Sequence, residues 1–531
     1  MFFNAVSATL VICACFHQWP IALAQTSTTI PPWTDPTAGG RPENPGAQIY
    51  LTNRTVATVT SYAMDTIAAG IRNMTMPDIN FPIFFDTLTI KSMRVNEAKF
   101  SNYGNQFSMP NRIQTRFYGG RVVSTGLWQY KTADGKPPTN GTFRATVVNG
   151  EIRATNTLSR TFEAKPIVQT IECKVNFRQF RADIVGAPPG MDVIENCTNP
   201  VCNKIRGYFD DLVCAIVRNF VKDSINRPLS TFPNRVKLNC TSQFFLDYGL
   251  MISEPRVSAL KQAIRAGLEG RALWRNISSA VPFWPLNSRE FKDKNVISFD
   301  FSDYMFNTLF HQAHAQGYRF SSSDHLWPSS TSLIDLLKFK CPGRPICLGS
   351  LFSNSSLINQ YPSNAVGDLV YKSKMRPIRV SVQENRLSGT FDASNGVLEI
   401  YGPASIKIGE AGKRTMLAVA DVGLLRGDFV PSFKGDKVTG SIKLAYVQFI
   451  HSPSMSPTLV PDWPTKLAQV ASPILPEIFN NFFSRFVQFP IPLLENYECA
   501  SPSFSILSRS VRVECDVRFK PRVSVRTANC E

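Results

Sequence analysis

The chain has 531 residues, with 57 Lys and Arg against 40 Asp and Glu, for a formal net charge of +17. That length is large for one core and comfortable for two. Twelve cysteines spread over it exclude a disulfide scaffold. After the N-terminus, no run reaches the ~18 uninterrupted apolar residues of a membrane-spanning helix, because Pro473, Pro476, Pro490 and Pro492 break the best candidate.

Residues 1–24 have the form of a secretory signal. An uncharged apolar core runs from Ala5 to Phe16, and Ala22-Leu23-Ala24 makes a cleavage site before Gln25, although no Lys or Arg precedes the core. The mature protein is therefore expected to be secreted, extracellular and soluble. Seven N-x-[ST] sequons, at Asn53, Asn73, Asn140, Asn196, Asn239, Asn276 and Asn354, are candidate glycosylation sites that only this route would use. Cys13 and Cys15 leave with the signal, and the ten remaining cysteines read as disulfides. Zinc is the rival reading, but no C-x-x-C occurs.

The charge is weighted to the first half: residues 26–280 hold 30 basic and 19 acidic side chains, residues 281–531 hold 27 and 21. A basic extracellular surface fits anionic partners such as lipid headgroups or lipopolysaccharide, or it serves solubility alone.

A Pro-, Thr- and Gly-rich leader (25–45) precedes the first regular element. Ile49 to Thr52 reads as a strand, Thr52 as a helix cap, and Val56, Val59, Ala63 and Ile67 as an apolar helical stripe, with Gly70 near its end. Residues 84–190 then alternate apolar and polar between Gly and Asn clusters, the pattern of an antiparallel meander. A second helix is expected from about Asn203 to Ile225, with a wide stripe through Leu212, Val213, Ile216, Val217 and Phe220, ended by Pro228. A breaker-rich crossover follows.

The phrase then repeats. Val296 to Phe301 alternates as a strand, Ser302 stands where a cap belongs, and Met305, Phe306, Leu309, Phe310 and Ala313 give a stripe that stops at Gly317. A second meander leads to a late helix from about Thr465 to Val487, bearing Ile474, Ile478, Phe479, Phe482 and Phe483, with kinks expected at Pro473 and Pro476. A last strand covers Val511 to Phe519. The expected fold is α+β, two similar halves of helix, meander, long apolar helix and strand. Both late helices are greasier than one packing seam requires. On pattern alone a dry, packed core is the better reading, and a slot lined by Leu, Ile, Val and Phe is the other.

Several stretches, in order, resemble the family of bactericidal/permeability-increasing protein, lipopolysaccharide-binding protein, and the phospholipid and cholesteryl ester transfer proteins. They are NPGAQIYLTNRTV, IRNMTMPDI, the Cys173 and Cys214 pair, DYGL at Asp247–Leu250, SDYMFNTLFHQAHAQG at Ser302–Gly317, PILPEIFNNFF with FPIPL, and VRVECDVRFK at Val511–Lys520. The resemblance implies a boomerang of two lipid-binding domains, 46–272 and 296–531, joined through a linker at 273–295. Each would be a twisted antiparallel sheet wrapped around a long helix, and a central sheet would join them. It also implies a disulfide between Cys173 and Cys214, and one apolar phospholipid pocket per domain. By position the first pocket would draw on Val56, Val59, Ala63, Ile67, Leu212, Ile216 and Phe220, the second on Phe306, Leu309, Ile474, Ile478 and Phe482. Phospholipid is then a ligand and not a cofactor. Lipopolysaccharide, anionic membrane surfaces and lipoprotein particles are further candidate partners, and nucleic acid is not.

Of the other cysteines, Cys341 and Cys347 enclose a tight loop, Cys499 and Cys515 lie on segments expected to be neighbouring strands, and Cys197 with Cys202 is the simplest further pair. His311 and His314 lie three apart on one helix, but no H-E-x-x-H accompanies them, so no metal is expected. G-x-S-x-G is absent, and nothing in the sequence supports an enzyme. The lipopolysaccharide-binding members concentrate Lys and Arg at the tip of the first domain. Here the segment after the first helix holds Arg72 against Asp78 and Asp86. The hairpin holds Lys131, Lys136 and Arg144 with Asp134 and the Asn140 sequon, and Trp128 and Tyr130 offer aromatic tip contacts. The expected function is a lipid carrier or transfer protein; the alternative is a cationic host-defence protein of innate immunity that binds microbial envelope lipids.

Overall fold

The computed structural model describes residues 45–519 apart from 84–85, 177, 187–192, 196–199, 233, 239–242, 260–261, 276, 278–296, 326–330, 342, 354, 374–378, 385–395, 414–415, 435–436, 451–458 and 493–496. Its long helices are α1 (Asn53–Arg72), α2 (Pro200–Phe220), α3 (Asp303–Ala315) and α4 (Trp463–Phe486).

The repeated phrase organises the molecule. Its two strands, Ala47–Leu51 and Ile297–Ser302, lie side by side and antiparallel, Ile49 opposite Phe299. Neighbours that run in opposite directions send α1 and α3, which follow them at once, toward opposite ends. The shared sheet has six strands, in the order Arg256–Ser258, Ala263–Leu268, Ala47–Leu51, Ile297–Ser302, Ser510–Phe519, Tyr497–Leu507. Strands from both halves thus make one central sheet, with a lobe on either side. The fold is α+β, as the repeat implied.

Each lobe is a curved antiparallel meander. The first has eight strands, with Arg112–Lys131 paired to Thr139–Arg160 at its centre. The second has seven, centred on Gly396–Glu410, Met416–Lys434 and Lys437–Ile450. Register shifts interrupt these long pairings, at Phe117/Gly120 in the first lobe and at Tyr401/Ala404 in the second. Such bulges sharpen the twist and let a sheet wrap a helix.

Helix starts and stops follow local chemistry. The Thr52 hydroxyl accepts the Thr55 N–H, as a cap should. Ser302 occupies the cap position of α3 but its hydroxyl donates to the Gly46 carbonyl, so it joins the two phrases instead of capping. The second helix departs from expectation. Pro228 does not end it at Ile225, because α2 continues through a π-helical turn (Val221–Asn226) into a last turn, Arg227–Ser230. Proline is tolerated there as the second residue of that turn. Pro473 and Pro476 both sit inside α4.

Asparagines fasten helices to strands by a shared device, a side-chain amide that both donates to and accepts from one residue's backbone. Asn226 does so with Val168 (2.8 and 2.9 Å), Asn307 with Val380 (2.9 and 2.7 Å) and Asn480 with Ile442 (3.1 and 2.7 Å). Each satisfies backbone groups on the side of its strand where no neighbouring strand pairs.

Three disulfides lie among the described residues: Cys173–Cys214, Cys341–Cys347 and Cys499–Cys515. The first ties α2 to the strand Pro166–Asn176, where the Val175 N–H also donates to Asp210 at 2.8 Å. Cys197, Cys240 and Cys530, and the side chain of Cys202, lie outside the described residues. Because Cys173–Cys214 closes a separation of 41 residues, Cys214→Ala is expected to cost roughly 2–4 kcal/mol and to lower secreted yield. An unchanged melting temperature and yield would contradict that anchoring role.

Asn73 and Asn140 are exposed, while Asn53 is half-buried, its amide donating to Gln262 at 2.9 Å. Asn196, Asn239, Asn276 and Asn354 fall outside the described residues, as does most of the linker. No described helix is long and apolar enough to cross a membrane.

Candidate functional site

An apolar slot lies inside the first lobe, between α1, the end of α2 and the inner face of the eight-stranded sheet. Val56, Val59, Thr60, Ala63 and Ile67 reach it from α1 at the three-and-four spacing of one helical face. Ile113, Thr115 and Phe117 come from one strand, Ala154, Asn156 and Leu158 from its neighbour, and Val168 from the next, alternate residues as a pleated sheet dictates. Val217 and Phe220 of α2, then Val221 and Ile225 of the π-helical turn, form the opposite wall, and Ile264 of the central sheet completes it. The void measures about 90 Å³, or about 720 Å³ with its open mouth included.

The lining holds no titratable side chain. Its few polar side chains, Thr60, Thr115 and Asn156, already have hydrogen-bond partners. The Thr60 hydroxyl bonds the Val56 carbonyl (2.8 Å) and Asn105 (3.1 Å), Thr115 donates to Asn105 (3.0 Å), and Asn156 accepts from Thr170 (2.8 Å). What remains is a surface of Val, Ile, Leu, Ala and Phe. Such a site offers dispersion and desolvation, and suits a hydrocarbon chain.

Five of the seven residues expected here, Val56, Val59, Ala63, Ile67 and Phe220, line the slot. Leu212 and Ile216 do not. The reason lies in what holds each flank of α2. Asp210 and Cys214 are tied to the strand Pro166–Asn176, and Ile216 packs against α1, where a Cβ added to Gly70 would sit 2.8 Å from its side chain. The face left for the interior is Val213, Val217 and Phe220, carried on by Val221 and Ile225. That series was visible as part of the wide stripe, one residue round from the positions chosen. The π-helical turn was not visible.

Phe306, Leu309, Ile474, Ile478 and Phe482 do come together in the second lobe, each no more than 3% exposed. Aromatic rings crowd them. Phe306 has the rings of Phe489, Phe429 and Phe483 at 4.9, 6.3 and 6.4 Å, and Phe482 has Phe320 and Phe310 at 4.9 and 5.4 Å. These rings meet edge-on or offset, as aromatic pairs favour.

At the tip of the first lobe Trp128 is 3% exposed, its indole N–H donating to the Val185 carbonyl at 3.1 Å, so it offers no contact to a surface. The Tyr130 hydroxyl donates to Asp86, and Lys136 pairs with Asp134 at 2.6 Å. Burial pushes His311 below its ordinary value, with His314 adding to the shift. No group of metal-ligating side chains occurs among the described residues.

The family described as LBP / BPI / CETP family, C-terminal domain, matches residues 239–519. The crystal structure of lipopolysaccharide binding protein is similar over 90% of this chain and 100% of its own, at a TM-score of 0.55 and 17% identity. The crystal structure of Epiphyas postvittana Takeout 1 is similar over 33% of this chain and 93% of its own, at a TM-score of 0.21 and 14% identity, too distant to carry an argument. No curated protein matches the chain.

Proposed function

This chain belongs to the LBP / BPI / CETP family of lipid-binding proteins, and on that premise we propose that it is a secreted carrier that holds phospholipid acyl chains in the slot of its first lobe. The observation that supports this reading is the lining itself: a continuous aliphatic and aromatic wall whose polar members, Thr60, Thr115 and Asn156, already have hydrogen-bond partners in Asn105 and Thr170. The void of about 90 Å³ is below the roughly 300–1,000 Å³ of a small-molecule pocket, so loading moves the walls apart. Val221 and Ile225 stand on a π-helical turn, an arrangement with weaker local bonding than an α-helix, which is the wall best able to yield. The same reading extends to the second lobe, where Phe306, Leu309, Ile474, Ile478 and Phe482 are buried as a set.

The tip favours a carrier over an endotoxin receptor. Its hairpin lysine Lys136 is neutralised by Asp134, and Trp128 is turned inward. The net charge of +17 then serves attraction to anionic surfaces and not retention of cargo. Raising salt should weaken association with anionic liposomes, because exposed charges are screened beyond about 10 Å at 0.1 M, while bound phospholipid stays in place. Release of the cargo itself at moderate salt would mean that headgroup charge, and not the apolar slot, holds the lipid.

A further inference from the structure

Three turns meet at the end of the first lobe that adjoins the central sheet. Each carries one large apolar side chain in water: Met109 is 74% exposed, Phe162 73% and Ile252 89%. Backbone hydrogen bonds hold the turns together. The Val257 N–H donates to the Pro110 carbonyl (2.6 Å), the Leu158 N–H to Asn111 (2.9 Å) and the Leu250 N–H to Ala164 (3.4 Å), while the Arg160 guanidinium donates to the Leu250 carbonyl (2.9 Å). One exposed hydrophobic residue needs no explanation; three on adjoining turns do.

The charge around them is one-sided. Across 109–112, 160–165 and 250–256 the cations are Arg112, Arg160, Lys165 and Arg256, and the carboxylates are Glu163 and Glu254. Both carboxylates are paired, Glu163 with Lys165 at 2.8 Å and Glu254 with Arg265 at 2.6 Å and Arg256 at 3.6 Å. Apolar tips on separate turns, with four cations to two paired carboxylates around them, match an anionic lipid surface better than the flat, continuous face of a protein partner.

These turns also end the walls of the slot. Ile113 follows Met109 by four residues and Leu158 precedes Phe162 by four. Ile264 pairs with Val257, on the short strand that follows the Ile252 turn. We propose that Met109, Phe162 and Ile252 form a docking prong that enters the headgroup–acyl boundary of a phospholipid surface and brings the Ile113–Leu158–Ile264 end of the slot to the lipid it takes up or delivers. The proposal rests on the carrier reading and names where that carrier meets its lipid source.

The test uses the full secreted chain and vesicles of equal parts phosphatidylcholine and phosphatidylglycerol. Phe162→Ser combined with Ile252→Ser should lower vesicle affinity about tenfold or more, and slow transfer of a fluorescent phosphatidylcholine in step, with the extracted lipid load unchanged. In a separate Ile252→Trp variant, tryptophan emission should shift to the blue when vesicles are added. Wild-type affinity and transfer in the double variant, no emission shift, or loss of a dimer in place of loss of vesicle binding would each overturn the prong. A wild-type protein that carries no phospholipid would overturn the carrier reading instead, so the two failures are distinguishable.

Discussion

Val217→Asp is expected to leave a folded protein that no longer carries phospholipid in the slot of its first lobe. Burying hydrocarbon is worth roughly 0.8 kcal/mol per CH₂, so an acyl chain in the slot gains far more from the wall than a headgroup gains from one polar contact. Val217 is 2% exposed and stands between the α1 stripe and the sheet. A carboxylate there has no partner, because the nearby Thr60, Asn105 and Thr115 already satisfy one another. It either ionises at heavy desolvation cost or takes up a proton and draws water into the slot, and both remove the gain. Leu212→Asp, on the half-buried flank outside the lining, should leave the load intact. The measurement is extracted phospholipid per mole for both variants and the wild type, with circular dichroism to establish folding. Equal loads in the wild type and folded Val217→Asp would rule out the slot as the binding site.

Arg512→Leu has the largest expected effect on stability. Arg512 and Asp300 face each other across neighbouring strands of the central sheet and meet through two hydrogen bonds, 2.7 and 2.8 Å, with side chains 5% and 2% exposed. The guanidinium also lies over the Tyr50 ring, 5.7 Å from its centroid. Removing the cation strands a carboxylate in the one sheet that both lobes share, at a cost of roughly 3–5 kcal/mol. The double replacement, Asp300→Leu with Arg512→Leu, leaves no orphaned charge and should recover most of the loss. Denaturant midpoints for the two variants check this. A double variant as unstable as Arg512→Leu would mean that packing around Arg512, and not the stranded charge, sets the cost.

The repeated phrase was legible because strand, cap and helix each leave a local signal, and two copies in one chain identify a duplicated framework. Its consequence, Ala47–Leu51 lying against Ile297–Ser302, follows from the duplication once both strands are known to be buried. The slot was legible from α1, whose stripe has one interior face. It was half legible from α2, whose stripe is wide enough to touch a strand, another helix and the slot, so position alone could not divide Leu212 and Ile216 from Val217 and Val221. Long-range tethers decided it, namely Cys214 to Cys173, Asp210 to Val175 and Ile216 against Gly70. Those depend on tertiary placement, as does the Asp300–Arg512 pair, separated by 212 residues. In the second lobe, apolar periodicity is the same for a ring-filled core and for an open pocket.

Solvent extraction and mass spectrometry of the purified protein, washed in high salt beforehand, test the central claim most directly. The expected result is a two-chain phospholipid at one or two per chain, released by organic solvent and not by the wash, as an apolar slot requires. A folded protein that yields no lipid, or one whose lipid leaves in the salt wash, would contradict the account.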